Sequence, residues 1–245
     1  MIIKIFKDSK ELGIALGKEF VDAVEANPSI ILGLATGSSP LGTYASIIEN
    51  SKERGVSFSK VKTFNLDEYL ACPLEDQTYR AFMKENLFSH IDILEENTHF
   101  PNATGLSDYD KEIAEAGGVD FQLLGIGRNG HIGFNEPGTP ADSLTHVVDL
   151  TESTRVANAR FFRDDLSLVP TQAVTMGIGT ITKSRRIALI ANTLDKAEPI
   201  AKLLQGKKDL DCPVTALIDH PHFEVYLTEE VDEAVQKLLA GSLAD

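Results

Sequence analysis

The chain has 245 residues, 42% of them hydrophobic, which is enough apolar material for a sizeable core in one large α/β domain or two small ones. Its 37 Asp and Glu outnumber 23 Lys and Arg, leaving a formal net charge of -14. That balance argues against nucleic acid or an anionic membrane as partner, since either needs clustered positive charge, but a small anionic ligand needs only two or three local cations.

Ile2 to Phe6 reads as a short apolar strand. Ser9 to Ala26 has apolar residues at helical spacing (Leu12, Leu16, Phe20, Val24), and Asn27-Pro28 ends the helix. Ile30 to Ala35 is a strand of the buried type, followed by a helix from Pro40 to about Lys52 and a strand from Val61 to Leu66. Further strands are expected at Phe121 to Ile126, Arg186 to Ala191 and Phe223 to Leu227, the last followed by a helix from Glu229 to Leu239. Near-continuous apolar strands separated by helices predict a mostly parallel, doubly wound sheet covered on both faces. The absence of repeats or linkers favours one α/β domain over residues 1–245, and the Gly/Pro/Ser-rich stretch from Pro137 marks residues 140–175 as a candidate mobile lid.

Two cysteines, Cys72 and Cys212, follow no CxxC or Cys/His spacing, so no metal site is expected and a reducing, cytoplasmic setting is. The opening MIIKIFKDSKELG lacks the core and cleavage site of a signal peptide, and no apolar run approaches the roughly 18 residues of a membrane span. His220-Pro221-His222 reads as a surface turn rather than a metal pair, because no third ligand stands at ligand spacing.

Open parallel sheets carry their chemistry at the carboxyl ends of the strands, so three loops draw attention. In Ala35-Thr36-Gly37-Ser38-Ser39-Pro40, Ser39 is the expected N-cap and Pro40 the first helical residue. Backbone N–H groups with the hydroxyls of Thr36, Ser38 and Ser39 would then form an anion site, although ordinary helix capping explains the same residues. In Phe64-Asn65-Leu66-Asp67-Glu68-Tyr69, Asp67 closes a strand; it is either a partly desolvated general base or a solvated loop carboxylate. The third loop runs from Gly125 to Gly138. Its GxGxxG spacing is not a dinucleotide fingerprint, because Gly133, Pro137 and Gly138 interrupt any helix that should follow. It holds Asn129, His131 and Glu136, and a histidine with two hydrogen-bonding neighbours is either a proton shuttle or a structural residue.

The segments LGLATGSSP, FNLDEY, GRNGHIGFNEPG and TRVANARFF, in this order and spacing, resemble the glucosamine-6-phosphate deaminase family through most of the chain. The resemblance implies the modified doubly wound, Rossmann-like fold shared with ribose-5-phosphate isomerase and 6-phosphogluconolactonase. It implies conversion of glucosamine 6-phosphate and water to fructose 6-phosphate and ammonia, with no redox cofactor. It also implies roles: His131, supported by Asn129 and Glu136, opens the sugar ring; Asp67 moves a proton between C2 and C1; Thr36, Gly37, Ser38, Ser39, Arg160 and Lys196 hold the phosphate. Two departures stand out. Some members carry Asp where this chain has Asn129, which makes His131 less basic here. Others are hexamers activated by N-acetylglucosamine 6-phosphate through an Arg and a Lys where this chain has His146 and Val148, so a monomer or small homo-oligomer without that activation is expected. The alternatives are a galactosamine-6-phosphate deaminase, a 6-phosphogluconolactonase, which should lack FNLDEY, and a non-catalytic sugar-phosphate sensor, which should carry a helix-turn-helix that the elements above leave no room for.

Overall fold

The computed structural model describes residues 1–242. In chain order its elements are β1 (Ile2–Phe6), α1 (Ser9–Ala26), β2 (Ile31–Leu34), α2 (Leu41–Arg54), β3 (Lys62–Asn65), β4 (Asp67–Tyr69), α3 (Tyr79–Asn86), β5 (Thr98–His99), α4 (Leu106–Ala116) and β6 (Phe121–Gly125), then β7 (His146–Asp149), α5 (Glu152–Asn158), β8 (Gln172–Thr175), α6 (Ile178–Thr182), β9 (Arg186–Ala191), α7 (Ala197–Leu204), β10 (Phe223–Thr228) and α8 (Glu229–Ser242). Short 3-10 turns connect several of them.

Seven strands form one parallel sheet in the order β1-β10-β9-β6-β2-β3-β5. All four residues of β2 and all six of β10 are buried, because helices cover both faces and strands so enclosed must be apolar throughout. Helices α1, α2 and α3 pack Leu16, Phe20, Tyr44, Ile47 and Met83 on one face. On the other, α6, α7 and α8 contribute Ile178, Ile181, Ile200, Val231 and Val235. The doubly wound expectation holds, with strand limits within a residue or two of those predicted.

A second, three-stranded antiparallel sheet, β4-β8-β7, has no counterpart in the expected elements. Asp67 does not end the strand from Val61 as expected; β3 stops at Asn65, and Asp67 opens β4 in register with Thr175 of β8. The stretch marked as a lid supplies β7, α5 and β8, and its Phe162 and Val169 pack with Tyr69 in a small core of their own. His220 is not on the surface: it is 9% exposed, and its Nε2 lies 2.7 Å from the carbonyl of Ser184. Among the described residues no helix is long and apolar enough to cross a membrane.

Candidate active site

The chain winds outward from β2 through β3 to β5, returns to β6 beside β2, and then winds the other way through β9 and β10. The winding reverses between β2 and β6, and in open sheets the crevice outside the strand ends at such a point is where ligands bind. The loops following β2, β3, β6 and β9 are therefore neighbours. Together with β4, which starts two residues beyond β3, they carry every sequence-predicted site residue except Arg160.

After β2 the backbone turns at Gly37, whose φ of 92° disfavours any side chain. Ser39 does not cap α2. The helix begins one residue later than expected, with Pro40 as cap residue, its carbonyl accepting the Tyr44 N–H at 2.9 Å, and no side-chain cap. The hydroxyls of Thr36, Ser38 and Ser39 thus have no protein partner among the described residues and remain available to a ligand. Tyr44, which sequence reasoning passed over, fixes the loop from behind. Fully buried on α2, it donates its hydroxyl to the Ala35 carbonyl and accepts the Ala35 N–H at 3.2 Å. A tyrosine on the buried face one turn into the helix was the available signal.

Asp67 is 7% exposed. Among the described residues no donor hydrogen-bonds its carboxyl, whereas the adjacent Glu68 accepts N–H groups from Tyr69, Tyr79 and Arg80 at 2.8, 2.9 and 2.9 Å and anchors the start of α3. Burial, and secondarily the charge of Glu68, push the Asp67 pKa up to about 8. The solvated-carboxylate reading of the sequence is therefore set aside by the geometry.

The loop after β6 forms no helix. Within it, His131 Nδ1 lies 2.7 Å from Asn129 Oδ1, and Asn129 Nδ2 donates to Glu136 Oε2 at 2.7 Å. An amide oxygen can only accept, so this pairing puts the proton on Nδ1 and leaves Nε2 with a free lone pair. Burial lowers the His131 pKa; Glu136 opposes the shift and the charge of Lys196 adds to it. The net shift favours the neutral imidazole. The same loop reaches Asp67: a methyl group placed on Gly133 would come 3.7 Å from Asp67 Oδ2.

Lys196 caps α7, and its ammonium is held by Asp195 at 2.9 Å. Despite burial, bonds from Thr193 and Lys196 lower the Asp195 pKa, so an arriving anion must displace a charged carboxylate. Arg160 follows α5 in a 3-10 turn, exposed, its guanidinium 4.6 Å from the centre of the Phe161 ring and without an acidic partner among the described residues. It stands on the stretch between β7 and β8, tied to the site through the packing of Phe162 on Tyr69 and through Asn158, which donates to the Tyr69 hydroxyl at 3.0 Å. A cavity of about 230 Å³ opens beside Glu136, lined also by Thr139, Asp149 and Thr151. Among the described residues no three His, Cys, Asp or Glu side chains are grouped to hold a metal ion.

A family model described as glucosamine-6-phosphate isomerases/6-phosphogluconolactonase matches residues 8–227. A glucosamine-6-phosphate deaminase of Shouchella clausii is 48% identical over 235 residues, 93% of this chain and 94% of its own. Glucosamine-6-phosphate deaminase 1 of Giardia intestinalis is 47% identical, with 91% and 86% covered. The solved structure of a monomeric glucosamine-6-phosphate deaminase superposes with a TM-score of 0.90 at 40% identity, over 96% of this chain and 100% of that one. A 6-phosphogluconolactonase from Leishmania guyanensis reaches 0.75 at 17% identity, over 96% and 98%, and shares the fold.

Proposed function

The chain belongs to the glucosamine-6-phosphate isomerase/6-phosphogluconolactonase family, and from that premise we propose that it is a deaminase of glucosamine 6-phosphate, releasing fructose 6-phosphate and ammonia. The observation that carries this reading is the Asp67 carboxyl, buried, without a hydrogen bond among the described residues, and faced by the loop that bears His131. A group with no standing hydrogen bonds is free to take a proton from carbon.

His131 acts first. Its Nε2 accepts the O1 proton of the closed sugar and returns it to O5, while the Asn129 carbonyl and Glu136 hold the Nδ1–H tautomer in place. Asp67 then removes the C2 proton and delivers it to C1 through an enol amine, which leaves an iminium at C2; water adds to that carbon, supplying the ketone oxygen, and the nitrogen takes a proton and leaves as ammonia. At pH 7 a carboxyl with a pKa of about 8 is mostly protonated, so the free protein holds its base in reserve. The substrate changes this. The ammonium on C2 is the group that must leave protonated, and beside Asp67 it favours the carboxylate. The amine that departs thereby helps to ionise the base that starts its departure.

The phosphate rests on the N–H groups and hydroxyls of residues 36–39, with Lys196 and Arg160 supplying charge. Arg160 would reach it by movement of the 140–175 stretch, a closing lid that keeps water from the enol. The similarity to a monomeric deaminase supports a monomer as the catalytic unit. With His146 and Val148 where activated relatives carry cations, its rate curve should be hyperbolic. A phosphorylated sugar does not cross membranes unaided, so the reaction belongs in the cytoplasm. The test is direct: incubation with glucosamine 6-phosphate should give equal amounts of ammonia and fructose 6-phosphate, and Asp67→Asn should give neither. Turnover by Asp67→Asn at the native rate would remove Asp67 from this role.

A further inference from the structure

Thr175 ends β8 directly opposite Asp67 of β4 in the antiparallel register. It is fully buried. Its Oγ1 accepts the N–H of Phe134 at 3.1 Å and donates to the Met176 carbonyl at 3.1 Å. Phe134 lies three residues beyond His131 in the loop after β6. One hydroxyl therefore joins the strand pair that holds Asp67 to the loop that holds His131, two pieces of chain that share no sheet.

The contact is close on every side. Gly133, at φ 58°, lies against the Asp67–Thr175 pair, and a methyl group there would come 2.8 Å from Thr175 Oγ1 as well as 3.7 Å from Asp67 Oδ2. Asn135 extends the seam, donating from Nδ2 to the carbonyls of Ile132 and Met176, both at 2.8 Å. The loop is thus pinned at Phe134 and Asn135, the two residues that follow the glycine nearest the Asp67 carboxyl. A valine in place of Thr175 would fill the same volume but leave the Phe134 N–H without its partner.

We propose that Thr175 is a positioning residue, its hydroxyl setting the gap between Asp67 and the His131 loop and with it the placing of the base against the reacting sugar carbons. The assignment rests on the reading of Asp67 as the base that moves hydrogen between C2 and C1. If that gap sets the reaction, widening it slows the step that the base performs and lets water exchange with the proton it carries. Phosphate binding, at the loop after β2, is untouched. A misplacement of about 1 Å costs as much as a hundredfold in rate.

The experiment compares Thr175→Val and Thr175→Ser with the wild type on glucosamine 6-phosphate deuterated at C2. Both kcat and KM are measured, together with the fraction of label that reaches C1 of fructose 6-phosphate rather than solvent. Thr175→Val should lower kcat about tenfold or more with KM within about twofold, and should lower label transfer, while Thr175→Ser should restore both. Native kcat and native label transfer in Thr175→Val would overturn the proposal, as would equal losses in both variants, which would place the effect in the packing of the whole side chain rather than in the hydroxyl. Should Thr175→Val not fold, Thr175→Ser decides alone: native label transfer supports the hydroxyl, and loss of transfer refutes it. Failure of the underlying reading looks different, with a wild type that releases no ammonia or an active Asp67→Asn.

Discussion

Asp67→Asn should make the protein more stable as well as inactive, and the gain should grow with pH. A carboxyl whose folded pKa is about 8, against an ordinary 3.8, binds its proton more tightly in the folded chain than in the unfolded one. Its contribution to stability is complete below pH 3.8 and is lost progressively as pH rises through about 8. The whole shift corresponds to about 6 kcal/mol, and the portion between pH 5 and pH 8 to about 4 kcal/mol, a slope near 1.4 kcal/mol per pH unit. Burial of the side chain leaves little solvent to screen this. An asparagine does not titrate. Whatever its amide loses by lacking partners is independent of pH and drops out of the slope, as do all other titrating groups common to the two proteins. Urea unfolding of both, followed by circular dichroism at pH 5, 6, 7 and 8, should show the stability difference widening in favour of Asp67→Asn by about 4 kcal/mol. A difference constant to within about 1 kcal/mol would mean that Asp67 titrates like a solvated aspartate, and the argument from burial would fail.

For the wild type, kcat/KM should climb with pH toward a basic pKa near 8, since the free protein must ionise Asp67; a profile already flat from pH 6 would contradict this. Asn129→Asp places a carboxylate against His131 Nδ1 and should move the acidic limb of the same profile to higher pH, because a negative charge favours the imidazolium. Lys196→Met removes a charge that lowers the His131 pKa, so it too should raise that limb, and it should also raise KM. An unmoved limb in both variants would take His131 out of the profile. Tyr44→Phe leaves the Ala35 carbonyl and N–H without their side-chain partner and should cost about 1–3 kcal/mol of stability with a raised KM, measured by unfolding and by saturation kinetics.

What the chain discloses in advance depends on how each element is stabilised. The central strands were legible because burial on both faces forces unbroken apolar runs such as Ile31–Leu34 and residues 187–191. The small sheet was not. Asp67-Glu68-Tyr69 has no apolar run, His146–Asp149 is only partly buried, and their pairing through Gln172–Thr175 joins segments far apart in sequence. Likewise α3 begins at Tyr79 because Thr78 caps it and Glu68 accepts its first N–H groups, a contact made across a loop. Ser39 failed as a cap for a simpler reason: the chain spends one more residue in the turn, and Pro40 tolerates the cap position without an N–H to satisfy.

The same distinction governs the site. Residues 129–136 lie close in sequence, so the His131–Asn129–Glu136 chain of contacts could be anticipated from spacing. The environment of Asp67 could not, because it is made by partners from elsewhere: Thr175 across the small sheet and Gly133 from the loop after β6. Desolvation is the largest influence on that carboxyl, and desolvation is a property of what surrounds a residue rather than of the residue. The antiparallel sheet that hides Asp67 also carries, between β7 and β8, the stretch bearing Arg160. On the proposed reading, a change in that stretch when phosphate binds would be felt at the base through Tyr69 and Asn158, which touch at 3.0 Å. Asn158→Ala tests the connection: it should reduce kcat while leaving the affinity for inorganic phosphate intact, and an equal loss in both would show that the contact merely supports Arg160.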